Sequence, residues 1–331
     1  MSSFFKFQAL AVSVAITGIF SSAVSAQTSQ YELIKTIDLP GTVGGHGDWV
    51  TYDPDTETVW LAQSPDHNVV VIDANRFAVK QTIAGVESGN GIDIDKRYAF
   101  ITDAKPGKLV VVDKRTFRKV ASIDSGGKTP DGVNVDTHTG KVFVANDDSN
   151  NETVFDSEPP FKRTDTLKLK PEDSKDGPDV ALYVRSLDRL YQPVGSNIDV
   201  IDPNTNEVLA VWDFGAKSDA KGGIYDSSTN HLIFGTGDRK MLVVDAASGK
   251  LVTTIPVTGA VDQTAIDVAK RRAFVGDETG NIEVVDLDSN QVVDHIATEK
   301  KVHTLTVDTK THRVFVYLNA SNKVGVFERK S

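Results

Sequence analysis

Seven polar side chains recur at one register of this sequence: Asp48, Asn90, Asp131, Asp179, Lys221, Asp262 and His303. Six of them lie five residues before an aspartate that ends an apolar stretch, and Asp179 takes the same place counted back from Val184. Gathered together they would offer four carboxylates, an amide, an amine and an imidazole. His46 stands two residues before Asp48 in "GGHGDWVTYD" and adds a second imidazole. His46, Asp48, Asp262 and His303 are donors that a first-row divalent metal accepts. A polar opening filled by solvent is the plain alternative. Metal-free acid–base chemistry is the third, with Lys221 between Asp179 and Asp262 as the charged partner. All three require a fold that brings residues 46–48 against residues 262–303.

The elements that could do so repeat. One unit of about forty residues reads apolar-Asp, turn, apolar strand, polar loop, "VVVID", turn and a "TI" strand. It occurs as "VTYDPDTETVWLAQSPDHNVVVIDANRFAVKQTI" from Val50 and again from Ile92, Val133, Ala181, Gly223, Ala265 and Leu305. Each copy holds short β-branched-rich stretches between Asp, Asn, Gly and Thr turns, the pattern of antiparallel strands. Seven four-stranded units that cannot each bury both faces predict an all-β, seven-bladed β-propeller. The last copy has three strands, while "YELIKTIDL" (31–39) matches the fourth-strand segments of other copies. It is expected to complete blade seven and close the ring, which removes exposed edges. Closure would make blades six, seven and one neighbours, with the seven polar residues around the upper mouth of the central channel.

The units "VFVANDDSNN", "NVVVID" and "GKLVTTIPV" resemble the YVTN repeats of the YncE-like family of exported seven-bladed propellers, across nearly all of residues 27–331. The resemblance implies the fold and an exported location, and speaks little to activity. Some relatives are associated with single-stranded DNA. Here a formal net charge of −10 and the lack of a basic stripe with interleaved aromatics disfavour nucleic acid. Residues 1–26 read as a secretory leader: Lys6, the apolar run "ALAVSVAITGIF" and the small residues "AVSA". That run is short for a membrane span and there is no cysteine, so neither a membrane anchor nor a disulfide is expected. The periplasm is the expected location, with secretion as the alternative, and one propeller domain is expected over residues 27–331.

Many of the acids belong to turns. Asp53, Asp95, Asp136, Asp226, Asp267 and Asp308 end first strands, and Asp73, Asp113, Asp156, Asp202, Asp245 and Asp286 end third strands. Aspartate there caps a hairpin through backbone N–H groups, so these twelve are expected to be structural. Gln63, Asp103, Asn146, Asp147, Gln192, Asp277 and Tyr317 are expected to form an outer wall around the mouth. "NDDSNNETVFD" (146–156) lacks the glycine and terminal glutamate of an EF-hand loop and reads as an exposed turn. "KLKPEDSKDGPD" (168–179) is the longest polar connection and reads as a solvated loop near the mouth. Trp49, Trp60 and Trp212 are expected between blades.

Two functions fit. The first is a binding or scaffold protein, expected as a monomer, whose mouth takes a small molecule or partner protein, with a divalent metal ion as a further expected occupant. The second is a metal-assisted hydrolase or lyase like the propeller lactonases. Gluconolactonase-like propellers hold their cation with Glu, Asn and Asp, whereas this ring offers Asn90 and several Asp but no Glu.

Overall fold

The structure, a computed structural model, describes residues 29–45, 47–172, 174–215 and 218–331. The leader assigned to residues 1–26 lies outside the described residues. The rest forms seven four-stranded antiparallel sheets, each built from consecutive strands except the last. In that sheet Tyr31–Asp38 pairs with Lys323–Arg329, from Tyr31 opposite Arg329 to Asp38 opposite Lys323, with a bulge between Leu33 and Lys35. The N-terminal strand is therefore the outer strand of blade seven, as expected. Tyr31 and Ile37 are its buried anchors, and the Tyr31 ring meets Phe274 edge-on at 5.5 Å.

Burial explains why each strand looks as it does. Second strands such as Thr58–Gln63 and Tyr98–Asp103 are buried at every residue, because both faces pack on a neighbouring blade. They read as unbroken apolar runs for that reason. Outer strands such as Glu207–Asp213 alternate exposed and half-buried residues. The core lies in the seams: Trp60, Val69 and Val71 of blade one pack on Ile92, Ile101 and Val112 of blade two.

The hairpins at the lower rim share one design. Eleven of the twelve expected aspartates accept backbone N–H groups two or three residues ahead, as Asp113 does from Arg115 and Thr116 at 3.1 and 3.0 Å. Asp95 does so from just beyond its strand, which ends at Ile94. In most of these turns the residue four after the aspartate has positive φ, for example Phe77, Phe117, Asn206 and Gly249. Its N–H donates to the aspartate carbonyl, at 2.8 Å for Phe117 and 2.9 Å for Gly249. Asn and Gly recur there because they tolerate the left-handed region.

Inner strands face the channel with one edge, and side chains of adjacent blades cap that edge. Thr51 Oγ1 donates to the Ile92 carbonyl at 2.8 Å, and Val135 N–H donates to Asp93 Oδ2 at 2.7 Å. Gln263 Oε1 accepts from Val50 and Leu305 N–H at 3.3 Å each, tying blade six to blades one and seven. A buried backbone donor would be costly without such a partner. No helix among the described residues is long and apolar enough to cross a membrane.

Candidate functional site

The inner strands start at Gly47, Gly89, Pro130, Leu182, Ala220, Thr264 and Leu305. Asp48, Asn90, Asp131 and Lys221 are second in theirs, whereas Asp179, Asp262 and His303 precede theirs by two or three residues. Despite that stagger, all seven line one cavity of about 550 Å³ at one end of the channel. His46 lies outside the described residues. The register count thus identified side chains that the tertiary structure brings together.

Hydrogen bonds fix several of them. Asn90 Nδ2 donates to Asp131 Oδ1 at 2.7 Å. Asp179 Oδ1 accepts from the N–H groups of Val180 at 2.7 Å and Gly222 at 3.2 Å, which locks its carboxylate across the seam of blades four and five. Lys221 Nζ reaches Asp179 at 3.3 Å and Asp219 at 3.4 Å. His303 is buried and its Nδ1 lies 2.8 Å from the Lys301 carbonyl. A carbonyl can only accept, so Nδ1 carries the proton and Nε2 keeps the lone pair in neutral imidazole.

The electrostatics are those of crowded carboxylates. Burial, then repulsion from Asp179 and Asp48, holds Asp131 well above the usual carboxylate range, against the opposing Asn90 bond. Burial also raises Asp179, opposed by Lys221 and the Val180 N–H. For Lys221, burial favours the neutral amine, but Asp179, Asp219 and Asp262 outweigh it and keep the ammonium charged. The ring therefore carries its own counter-ion.

Asp219 and Glu278 also line the cavity and were not among the expected residues. Both have positive φ in loops next to the ring, at 39° and 56°. Asp219 lies two residues before Lys221, a spacing that could have drawn attention to it. The long connection contributes as well. Lys175, Asp176 and Gly177 border an adjoining pocket of about 210 Å³ with Asp131, Asp147, Asp179, Asp219 and Lys221. It is thus part of the rim and not only a solvated loop. Asp147 is raised there by burial and by Asp148; Asp148 is exposed as expected, but Asn151–Asp156, read as part of the same exposed turn, is a mostly buried strand.

One expectation is corrected and another is extended. Gln63, Asp103, Asn146, Gln192, Asp277 and Tyr317 are buried and do not form a solvent-facing wall. They hold loops: Asp103 accepts Glu87 and Ser88 N–H, and Gln63 Nε2 and the Tyr317 hydroxyl both donate to Asn322 Oδ1. Trp60 is buried between blades, Trp212 meets Tyr191 at 5.6 Å with the rings tilted, and Trp49 packs on the seam of blades one and two while also lining the channel. Its ring crosses to blade five, where a Cβ on Gly222 would approach it to 3.0 Å. A Cβ there would require the ring to give by a few tenths of an ångström. Trp49 and Val180 border both the mouth and a second cavity further along the channel.

Among the described residues no group of three or more His, Asp or Glu side chains is arranged to hold a metal ion. Asp48, Asp262 and His303 share the cavity without forming such a group.

No family model matches the chain, and no curated protein matches it. Among solved structures it is similar to the hydrazine synthase of Kuenenia stuttgartiensis, with a TM-score of 0.77 over 88% of this chain and 97% of that chain. At 15% identity the likeness concerns the fold alone. Together with the seven sheets it shows a seven-bladed β-propeller.

Proposed function

We propose that this protein is an exported, monomeric binding protein of the YVTN-repeat, YncE-like kind that takes a small cationic ligand at its acidic mouth in the periplasm. One observation carries the reading: six carboxyl groups and a single lysine line a cavity to which all seven blades contribute. Low-dielectric walls around such a cluster focus its field and favour a cation over water alone. The Lys221 ammonium marks where a positive group already sits, between Asp179 and Asp219.

Calorimetric titration with tetramethylammonium and putrescine tests this. Binding should weaken at least tenfold in Asp48→Asn and Asp262→Asn and fall as salt rises. Affinity indifferent to both substitutions would sink the reading.

A divalent metal is the second reading, favoured by the imidazole and carboxylates that His303, Asp48 and Asp262 bring to one cavity. Titration with zinc, copper and iron should then show binding that His46→Ala and His303→Ala weaken and that is lost toward pH 5, as imidazole protonates. Turnover of lactones by the metal-loaded protein would move it to the hydrolase class. Capture of a basic protein segment at the mouth would instead make it a scaffold.

A further inference from the structure

Ring closure changes the lower rim at one seam. In blade six a turn over 287–290 joins the third and fourth strands and places Asp288 beside Arg271. Arg271 Nε donates to Asp288 at 2.9 Å, and its Nη1 donates to Asp226 of blade five at 2.6 Å. In blade seven the corresponding strands are Lys323–Arg329 and Tyr31–Asp38, so no turn joins them. The cross-strand pairs Ala273 with Val285 and Val314 with Phe327 set the correspondence between the two blades. By that count His312 takes the place of Arg271, and Lys330 takes the place of Asp288. A base stands where the neighbouring seam has an acid, and a pocket of about 290 Å³ lies there.

The two carboxylates that line this pocket are already engaged. Asp267 is buried, accepts the Lys270 N–H at 3.0 Å and lies 2.8 Å from His312 Nδ1. A carboxylate accepts, so Nδ1 carries the proton in neutral imidazole and Nε2 is left over. Glu328 accepts from Arg313 Nε at 3.0 Å, and the Thr311 hydroxyl donates to Asp308 at 2.6 Å. The cations are held differently. Arg329 donates to Gln30 Oε1 and Lys330 Nζ to the Ser29 carbonyl, each at 2.7 Å, and these neutral acceptors leave both charges unbalanced. Lys270 adds a third, exposed cation. Burial raises the Tyr31 phenol, which also lines the pocket and stays protonated.

We propose that this pocket binds a small phosphate dianion, free or as a monoester, among Lys270, His312, Arg329 and Lys330. It lies at the rim opposite the mouth and is independent of what the mouth binds. The donors come from three separate segments of the chain: the turns at 268–271 and 309–312, and the end of the closing strand pair. Several donors that include a guanidinium and two ammonium groups suit a doubly charged group with three or more acceptor oxygens. The net charge of −10 acts over the whole surface, whereas salt screens exposed charges beyond about 10 Å, so the nearby cations decide binding.

Calorimetry at constant ionic strength with inorganic phosphate, glycerol 3-phosphate and malonate tests this. One site is expected for phosphate or its monoester, with malonate weaker by about tenfold. Joint Arg329→Gln and Lys330→Gln substitution should weaken phosphate binding by about tenfold or more. His312→Gln should weaken it less, and Arg118→Gln, which removes an exposed cation elsewhere, should leave it unchanged. Phosphate should shift the amide resonances of Lys270, His312 and Lys330 in the unsubstituted protein, which locates the site even where a variant does not fold. Tighter binding of glycerol 3-phosphate would assign a monoester, and tighter binding of phosphate the free ion. No binding of either at millimolar concentration, malonate bound as tightly as phosphate, or shifts confined to other regions would each overturn the proposal.

Discussion

At the lower rim, Asp113 and Asp245 each accept the N–H groups of the turn that follows; at the mouth, Asp131 and Asp179 face other carboxylates across a cavity. The same side chain is driven in opposite directions. Bonds from Thr116 and Ser248 hold Asp113 and Asp245 below the usual range, while burial lifts Asp131 and Asp179 above it. A hairpin acid is stabilised as an anion by donors a few residues away. A mouth acid is crowded by residues some forty positions distant. Composition alone counts both as negative charge, so the −10 of the whole chain says little about where an anion is strained.

The strongest way to break the comparison is to open the ring that carries both rims. Deleting Tyr31–Asp38 uncovers the edge of Lys323–Arg329 and removes Tyr31 and Ile37 from the seam. At about 1.5–3 kcal/mol per large buried side chain, the expected outcome is insolubility or a large loss of melting temperature. Thermal denaturation of the truncated chain checks it, and a curve like that of the full chain would refute closure.

The next prediction sharpens the electrostatic contrast between hairpin acids and crowded ones. Glu152 and Asp199 are fully buried at the seam of blades three and four, and each has one carboxyl oxygen without a hydrogen-bond partner. Burial, then Asp199, pushes Glu152 up to about 8; burial pushes Asp199 up to about 7, against the Lys170 N–H and charge. For acids raised on folding, the stability contribution is full below the unfolded pKa and is lost as pH rises through the folded value. Melting temperature should therefore fall between about pH 5 and pH 8. Glu152→Gln should flatten that fall and stabilise the protein at pH 9 by about 2 kcal/mol or more. A Glu152→Gln protein that is less stable than wild type at pH 9 would mean that the carboxylate is needed in charged form. The hairpin acids have the opposite sign: their contribution is present above about pH 4 and is lost as pH falls through their lowered values.

A matched pair of substitutions then sets the two rims against each other directly. Asp113→Ala should cost about 0.5–2 kcal/mol, as for other aspartates that cap backbone donors, and should leave ligand binding at the mouth intact. Asp131→Asn should stabilise by about 1 kcal/mol at pH 8, since the amide can still accept from Asn90 and no longer resists burial. It should also weaken binding of an organic cation. Urea denaturation of the two variants reads the sign of each effect, and two effects of equal sign would abolish the distinction. The smallest effect is expected at Asp148, an exposed acid of the 147–149 turn, where Asn should change stability by no more than about 0.5 kcal/mol.

The repeat, the seven blades, the hairpin aspartates and the register of Asp48 through His303 were legible in the sequence. All follow from local rules: alternation along strands, turn chemistry within five residues, and a period that returns every forty. Trp49 packs on the seam as the sequence suggested, but its reach into the channel was not legible, because that depends on Gly222 of another blade standing opposite its ring. The supposed wall of Gln63, Asp103 and Tyr317 failed for a related reason. Polar side chains at strand ends are as apt to tie loops as to meet solvent, and these have loop backbone or Asn322 within reach.

By itself, then, the sequence determined which residues enter strands, where the chain turns and which polar groups share a register, because neighbours in the chain enforce these. Tertiary structure alone decided that Asp219 and Glu278 join the mouth and that Glu152 is buried against Asp199. Each depends on which blades meet. Those contacts come from packing across the ring, and no stretch of the chain encodes them locally.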